Sequence, residues 1–342
     1  MKRRSLIFCA PRRVEVKDEE YSKPGPGQVT VQTIVSGISA GTEMLLYRGE
    51  APASMKADTT IPSLAGDLHF PLKYGYSTVG RVIDLGPDVD RGFLDAAVFV
   101  FHPHESHFTA GVEELIPLPP DMKAEEGLFL PNMETAVTLV MDGRPMIGER
   151  VAVFGQGIVG LLATALLARF PLAALVTLDR CENRRRVSLE LGAHRSLDPS
   201  DPKVNETLSS LFQGPGDAAG ADLCYEVSGN PLALDIAIST AGFHGRVVVA
   251  SWYGIKPAPL SLGGAFHRSR IRIMSSQVST ISPDLTGRWS KDRLLDTVKD
   301  MMETVRPERF ITHRVDFDRA ADAYDLLDRH PEEALQVILT YA

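Results

Sequence analysis

The stretch RVAVFGQGIVGLLATALL, residues 150–167, decides the fold. A β-branched apolar run, VAVF, leads into Gly155, Gly157 and Gly160 in the spacing G-x-G-x-x-G, and an apolar run of helical length follows. The next strand-like run, ALVTLD, ends at Asp179, nineteen residues after Gly160. Glycines alone are a weak signal, and a tight turn in an ordinary α/β protein is the bland alternative. Strand, turn, helix and a following acidic residue together form a dinucleotide fingerprint. Gly155 permits the tight turn, Gly157 lets backbone approach a pyrophosphate, and Gly160 lets helix and strand pack closely. The helix start at Ile158 and Val159 offers free N–H groups and a positive dipole end to phosphate.

Asp179 bears on the cofactor. A carboxylate there accepts from a ribose 2′-OH and repels a 2′-phosphate, which predicts NAD rather than NADP. Arg180, Arg184 and Arg185 follow closely, either as a phosphate grip or as a solvated helix start. Further on, EVSGNP puts Ser228 and Gly229 at a strand end, and VVVASWYG does the same for Ser251, Trp252 and Tyr253. Ligands in open α/β sheets bind at such carboxyl ends, so these residues are expected on the nicotinamide side. Plain packing is the competing role for Trp252.

Outward from this motif, strand and helix signals alternate from about residue 134 to 250, as in a parallel sheet covered on both faces. Before residue 120 the chain reads as β-rich: RVEV, QVTVQTIV, TVGRVIDLG and AAVFVF stand between Pro/Gly punctuation. Residues 50–70 form a long polar loop, of a length more often functional than idle. The end returns to a mixed pattern, with a helical DFDRAADAYDLLDR and a strand-like ALQVILTY.

The chain has 342 residues, more than one hydrophobic core usually supports, so two domains are expected. A net charge of -8 argues against nucleic acid or anionic membrane as partner, since both attract basic surfaces. Cys9, Cys181 and Cys224 are sparse and far apart, which predicts reduced thiols in a cytoplasmic protein and no cysteine-based zinc site. The start, MKRRSLIFCAP, is too short in apolar residues for a signal peptide. FHPHESHF holds His102, His104 and His107 within six residues; a metal site is conceivable, hydrogen-bonding histidines on a loop the plainer reading.

Taken in order, these segments resemble the medium-chain dehydrogenase/reductase superfamily. PGPGQVTVQTIVSGIS (24–39), YGYSTVGRVIDLG (74–86), VAVFGQGIVG (151–160) and FITHRVDFDRAADAYDLL (310–327) carry the resemblance. It implies a GroES-like catalytic domain from residues 1–135 and 279–342, a doubly wound Rossmann domain at 136–278, and a substrate cleft between them. It also implies a homodimer or homotetramer acting on a small molecule. The departures concern zinc. Ser39 stands where zinc-dependent members carry cysteine, Tyr76 where they carry histidine, and Ser77 where glutamate is common. Glu134 in NMETAV resembles a third ligand position, and residues 100–120 lack the four-cysteine lobe. One carboxylate among hydroxyls is a poor zinc site.

The leading expectation is a zinc-independent NAD(H)-dependent oxidoreductase that interconverts a secondary alcohol and a carbonyl. Without a Lewis acid, the developing alkoxide needs hydrogen-bond donors. Ser39, Thr42 and Tyr76 are the candidates, with Tyr76 as acid/base if its reference pKa near 10 is lowered. Glu134 or Glu43 would accept or relay a proton. Two rivals keep the fold: a quinone or enoyl reductase, and a nucleotide-binding protein without catalysis.

Overall fold

The computed structural model describes residues 1–56, 61–214 and 219–341, so residues 57–60 of the long loop lie outside the described residues. The chain divides into two compact units, Met1–Pro131 with Arg306–Ala342, and Asn132–Val305. In chain order the first stretch holds β1 (Lys2–Ala10), β2 (Arg13–Glu20), β3 (Gln28–Gly37), α1 (Thr42–Arg48), β4 (Thr78–Leu85), β5 (Ala97–Val100), β6 (His107–Gly111), β7 (Ile116–Pro117) and α2 (Ala124–Gly127). Helix α3 (Leu130–Gly143) leads into β8 (Arg150–Phe154), α4 (Ile158–Leu167), β9 (Ala174–Leu178), α5 (Glu182–Glu190), β10 (Arg195–Leu197) and α6 (Val204–Leu211). Then come β11 (Ala221–Glu226), α7 (Pro231–Thr240), β12 (Ala241–Val249), β13 (Arg272–Ser275) and α8 (Lys291–Val305). The last stretch adds β14 (Ile311–Asp316), α9 (Ala320–Arg329) and β15 (Gln336–Thr340).

The first unit is built on a sheet in the order β14-β15-β3-β4-β5-β7, with β6 also paired to β3. Val29 and Val31 of β3 meet Val82, Val98, Val100 and Phe108 in a closed apolar core. β3 is buried along most of its length, with only Gln28 and Gln32 exposed, and Val29 and Val31, two residues apart, share one face. The final strand matters for the site. β15 runs antiparallel to β3 with Ile338 opposite Gly37, so the last strand braces the turn that follows β3.

The second unit is a six-stranded parallel sheet in the order β10-β9-β8-β11-β12-β13. This is the doubly wound order, with its reversal between β8 and β11. Continuous apolar strands such as β8, buried at four of five positions, reflect cover on both faces. The α/β class and the Rossmann sheet are as the sequence predicts.

The unit boundaries lie elsewhere than the sequence reading places them: the first falls after Pro131 rather than after residue 135. The sequence places the return to the first unit at 278/279, but residues up to Val305 pack with the second unit. The cause is α8, whose buried Leu294, Val298, Met302 and Val305 form one apolar stripe, and which packs against α4. Two ion pairs tie the same segment down: Lys291 to Glu134 on α3, and Arg144 to Asp284. Met302→Ala is expected to cost about 2–5 kcal/mol in chemical denaturation, whereas Glu303→Ala on the exposed face stays within about 0.5 kcal/mol. A small effect at Met302 would contradict this packing.

Candidate active site

In the second unit the glycine turn divides its labour among three residues. Gly155 has φ +98°, and a Cβ on it would lie 2.6 Å from Ser228 Cα. A Cβ on Gly160 would lie 2.0 Å from the Gly155 carbonyl oxygen. Gly157, by contrast, faces open space, with nothing within 4 Å of such an atom. Two glycines are therefore needed by the protein's own backbone, and the middle one leaves room for a ligand. Helix α4 starts at Ile158, so the N–H groups of Ile158 and Val159 belong to the first turn, which a helix cannot bond internally.

Asp179 follows β9 and is sewn to this turn. Its Oδ2 accepts from the Gln156 backbone N–H at 2.7 Å and its Oδ1 from the Cys181 N–H at 2.8 Å. Gln156 is itself fully buried and accepts from Thr164 at 2.9 Å. Each carboxylate oxygen retains a lone pair for a further donor. Of the neighbouring arginines, Arg185 is turned inward: it donates to the carbonyls of Asp179 and Arg180 at 2.9 and 2.8 Å and pairs with Asp198. Arg180 itself is exposed.

At the switch point, Ser228 N–H donates to Glu226 Oε1 at 2.8 Å, and the Ser228 hydroxyl donates to the same oxygen. Ser251 Oγ accepts from the Gly229 N–H at 2.8 Å, which joins the ends of β11 and β12. Trp252 beside it is half-buried.

In the first unit, the turn after β3 and the segment before β4 bring Ser39, Thr42 and Tyr76 together. The Tyr76 hydroxyl donates to Ser39 Oγ at 2.6 Å, and the Thr42 N–H donates to the same oxygen at 3.3 Å. Ser39 and Tyr76 are both half-buried. Burial raises the Tyr76 pKa above the usual phenol value; hydrogen bonds with Ser39 and Thr42 pull it down, and the Glu43 carboxylate pushes it up. The lowered pKa expected of an acid/base tyrosine is thus replaced by a raised one. A phenol moved out of water has lost the solvent that would stabilise its anion.

Glu43 lies in the first turn of α1 and points inward, fully buried. Its Oε1 accepts from the Ser39 N–H at 2.9 Å, while the Ser39 side chain accepts from the Thr42 N–H, so the turn before α1 is bonded in both directions. Its Oε2 accepts from Tyr324 OH at 2.5 Å and lies 3.0 Å from His104 Nε2. A carboxylate accepts only, so Nε2 is the donor. In that tautomer Nδ1 takes the Ser36 proton at 2.7 Å, and Ser36 Oγ accepts from Tyr341 at 2.8 Å. The His104 ring fits here because Gly75, with φ +126°, has no side chain: a Cβ there would lie 2.8 Å from the ring. Ser36, Tyr324 and Tyr341 were not among the residues singled out from sequence, and His104 was singled out only as part of the FHPHESHF cluster.

Glu134, the fourth candidate, belongs to the second unit. There it is buried in α3 and paired with Lys291 at 2.5 Å. The histidines of FHPHESHF go separate ways. His102 stacks on Phe108 with ring centroids 3.7 Å apart, and burial lowers its pKa to about 4. His104 enters the Glu43 network, and His107 stacks on Tyr21 and bonds Ser106.

A family model described as zinc-binding dehydrogenase matches residues 159–293, which include none of Ser39, Thr42 or Tyr76. The chain is 23% identical over 354 residues to D-guloside 3-dehydrogenase of Escherichia coli (strain K12), covering 99% of this chain and 100% of that protein. It is 25% identical over 266 residues to (R,R)-butanediol dehydrogenase of Bacillus subtilis (strain 168), covering 70% and 74%. The crystal structure of an Escherichia coli CFT073 short chain alcohol dehydrogenase (rspB), complexed with NADH, superposes with a TM-score of 0.79 at 18% identity over 99% of each chain. With the glycine turn, the doubly wound sheet and these likenesses spanning both units, the chain resembles the medium-chain dehydrogenase/reductase superfamily in fold and in sequence.

Proposed function

We propose that the chain is a zinc-independent, NAD(H)-dependent oxidoreductase that interconverts a secondary alcohol and a carbonyl compound. The observation that carries this reading is the hydrogen-bond count at Ser39. Its oxygen accepts twice, from Tyr76 OH and from the Thr42 N–H, and so spends both lone pairs. Its own proton is left to donate elsewhere. A hydroxyl so polarised suits the oxygen of a carbonyl on its way to alkoxide. The relatives named as guloside and butanediol dehydrogenases support an alcohol as substrate.

The roles then divide. Ser39 donates to the substrate oxygen. Tyr76 stands behind it as a neutral phenol that feeds the same hydrogen-bond chain, because its raised pKa disfavours a phenolate. Thr42 holds Ser39 through backbone, and Glu43 fixes the turn from below. Glu134 takes no part, since Lys291 holds its carboxylate.

The donor set is a poor match for zinc. Zinc takes about four deprotonated ligands, with His or Cys usually present. Here a serine and a tyrosine hydroxyl bond one another, and the tyrosine resists deprotonation. The nucleotide site fits its group better. The open side of Gly157 and the α4 N-terminus would hold a pyrophosphate, and Asp179 would accept from an adenosine ribose hydroxyl. When bound, the cofactor carries the hydride.

Ser39→Ala is expected to lower kcat with a secondary alcohol by about 10²–10³. Tyr76→Phe should lower it about tenfold, because it removes one donor to Ser39 and no contact to substrate. Equal and negligible losses in both variants would remove the proposed roles, and faster turnover of enones or quinones than of alcohols would favour the reductase reading. Protein purified without a histidine tag is expected to hold far less than one zinc per chain and to keep its activity in EDTA; stoichiometric zinc would contradict the reading. KM for NADH should lie well below that for NADPH, and Asp179→Asn should narrow the gap; a wild-type preference for NADPH would overturn the assignment.

A further inference from the structure

Glu226 is a carboxylate with no exposure at all, at the last position of β11. Three uncharged donors satisfy it: the Ser228 N–H at 2.8 Å, the Ser228 hydroxyl and the Tyr253 hydroxyl. The first two fix the loop after β11, and the third comes from the loop after β12. Two more bonds cross between the same loops, Gly229 N–H to Ser251 Oγ at 2.8 Å and Lys256 Nζ to the Gly229 carbonyl at 3.4 Å. Backbone continues the connection to β8, where the Val227 N–H donates to the Phe154 carbonyl at 2.9 Å. Ser228 in turn lies against Gly155, close enough that any side chain on that glycine would collide with it.

We propose that Glu226 and Tyr253 are positioning residues that clamp the two strand-end loops at the switch point and so shape the nicotinamide half of the cofactor site. Glu226 touches no ligand in this scheme. It sets where Ser228, Gly229 and Ser251 stand, and these are the groups at the carboxyl ends of β11 and β12. The adenosine half is held by a different set of bonds, those of Gly157, α4 and Asp179. The clamp abuts the glycine turn where Ser228 meets Gly155, but the Glu226 and Tyr253 hydrogen bonds are made to the strand-end loops and not to Gly157, α4 or Asp179. Burial, and then the Glu226 carboxylate, push the Tyr253 phenol far above its ordinary pKa, which keeps it a donor at every neutral pH. The inference rests on the nicotinamide reading proposed above.

The test compares NADH with ADP-ribose, which lacks the nicotinamide ring. Binding of both to wild type, Glu226→Gln and Tyr253→Phe is measured by calorimetry. Both substitutions nearly preserve shape while altering the carboxylate or removing the phenol donor. Each is expected to weaken NADH about tenfold and to leave ADP-ribose within about twofold. A merely structural role would weaken both ligands alike, and that result overturns the clamp. So does retention of wild-type NADH affinity in both variants. If Glu226→Gln fails to fold, Tyr253→Phe alone decides by the same criterion. A wild type that binds ADP-ribose but neither NADH nor NADPH overturns the cofactor reading, and the clamp with it.

Discussion

A carboxylate shut away from water must find donors inside the protein, and both units are organised around that requirement. Glu43 in the first unit and Glu226 in the second are each fully buried, and each sits where a loop leaves a strand or enters a helix. Asp179, nearly as buried, does the same between β9 and the glycine turn. In every case the donors include backbone N–H groups of the loop itself: Ser39 for Glu43, Gln156 and Cys181 for Asp179, Ser228 for Glu226. A loop whose N–H groups are spent on a buried acid has few alternative conformations. That is how short turns without regular structure can hold functional groups in place.

The proposed chemistry depends on this rigidity in the first unit. Ser39 is useful only if its oxygen stays within reach of both Tyr76 and the Thr42 N–H. Glu43 secures the backbone of that turn, while His104, Tyr324 and, through Ser36, Tyr341 secure the Glu43 carboxylate and its histidine partner. The strands and helix that supply these groups come from both ends of the chain. β15 braces β3 directly, and Tyr324 reaches Glu43 from α9. Organisation of the turn is therefore a property of the whole unit, not of the SGISAGTE segment.

The same fact explains how much could be read from sequence. The glycine turn was legible because its parts are adjacent in the chain and each glycine answers a local backbone demand. Asp179 was legible for a similar reason, since one βα unit fixes its distance from the turn. Ser39 and Tyr76 were singled out by resemblance, and their contact is a fact of folding between residues 37 positions apart. Tyr324 stands 281 positions from Glu43, and within its own helix it reads as one more apolar residue on a buried stripe. Glu226 in EVSGNP gave no sign of burial, because an acidic residue at a strand end is usually solvated. The 279–305 segment, read from sequence as part of the first unit, groups with the second, since an amphipathic helix declares that it has a buried face, not which surface it covers.

These buried acids also determine what the surrounding tyrosines can be. A phenol that donates to a carboxylate in a dry site resists ionisation twice, through its own desolvation and through the neighbouring acid. Burial first, then Glu43, raise Tyr324, and burial first, then Glu226, raise Tyr253. Tyr341 and Tyr76 are raised chiefly by burial, with Glu43 adding to both. Each of these tyrosines stays protonated through the neutral range and serves as a donor, never as a base. That leaves a base to be found outside the phenols. At the turn after β3, Ser39 accepts from Tyr76 OH and from the Thr42 N–H, so its own proton is left for the donation proposed above. The role proposed for Ser39 thus rests on a count of donors and acceptors rather than on the identity of the most acidic side chain present.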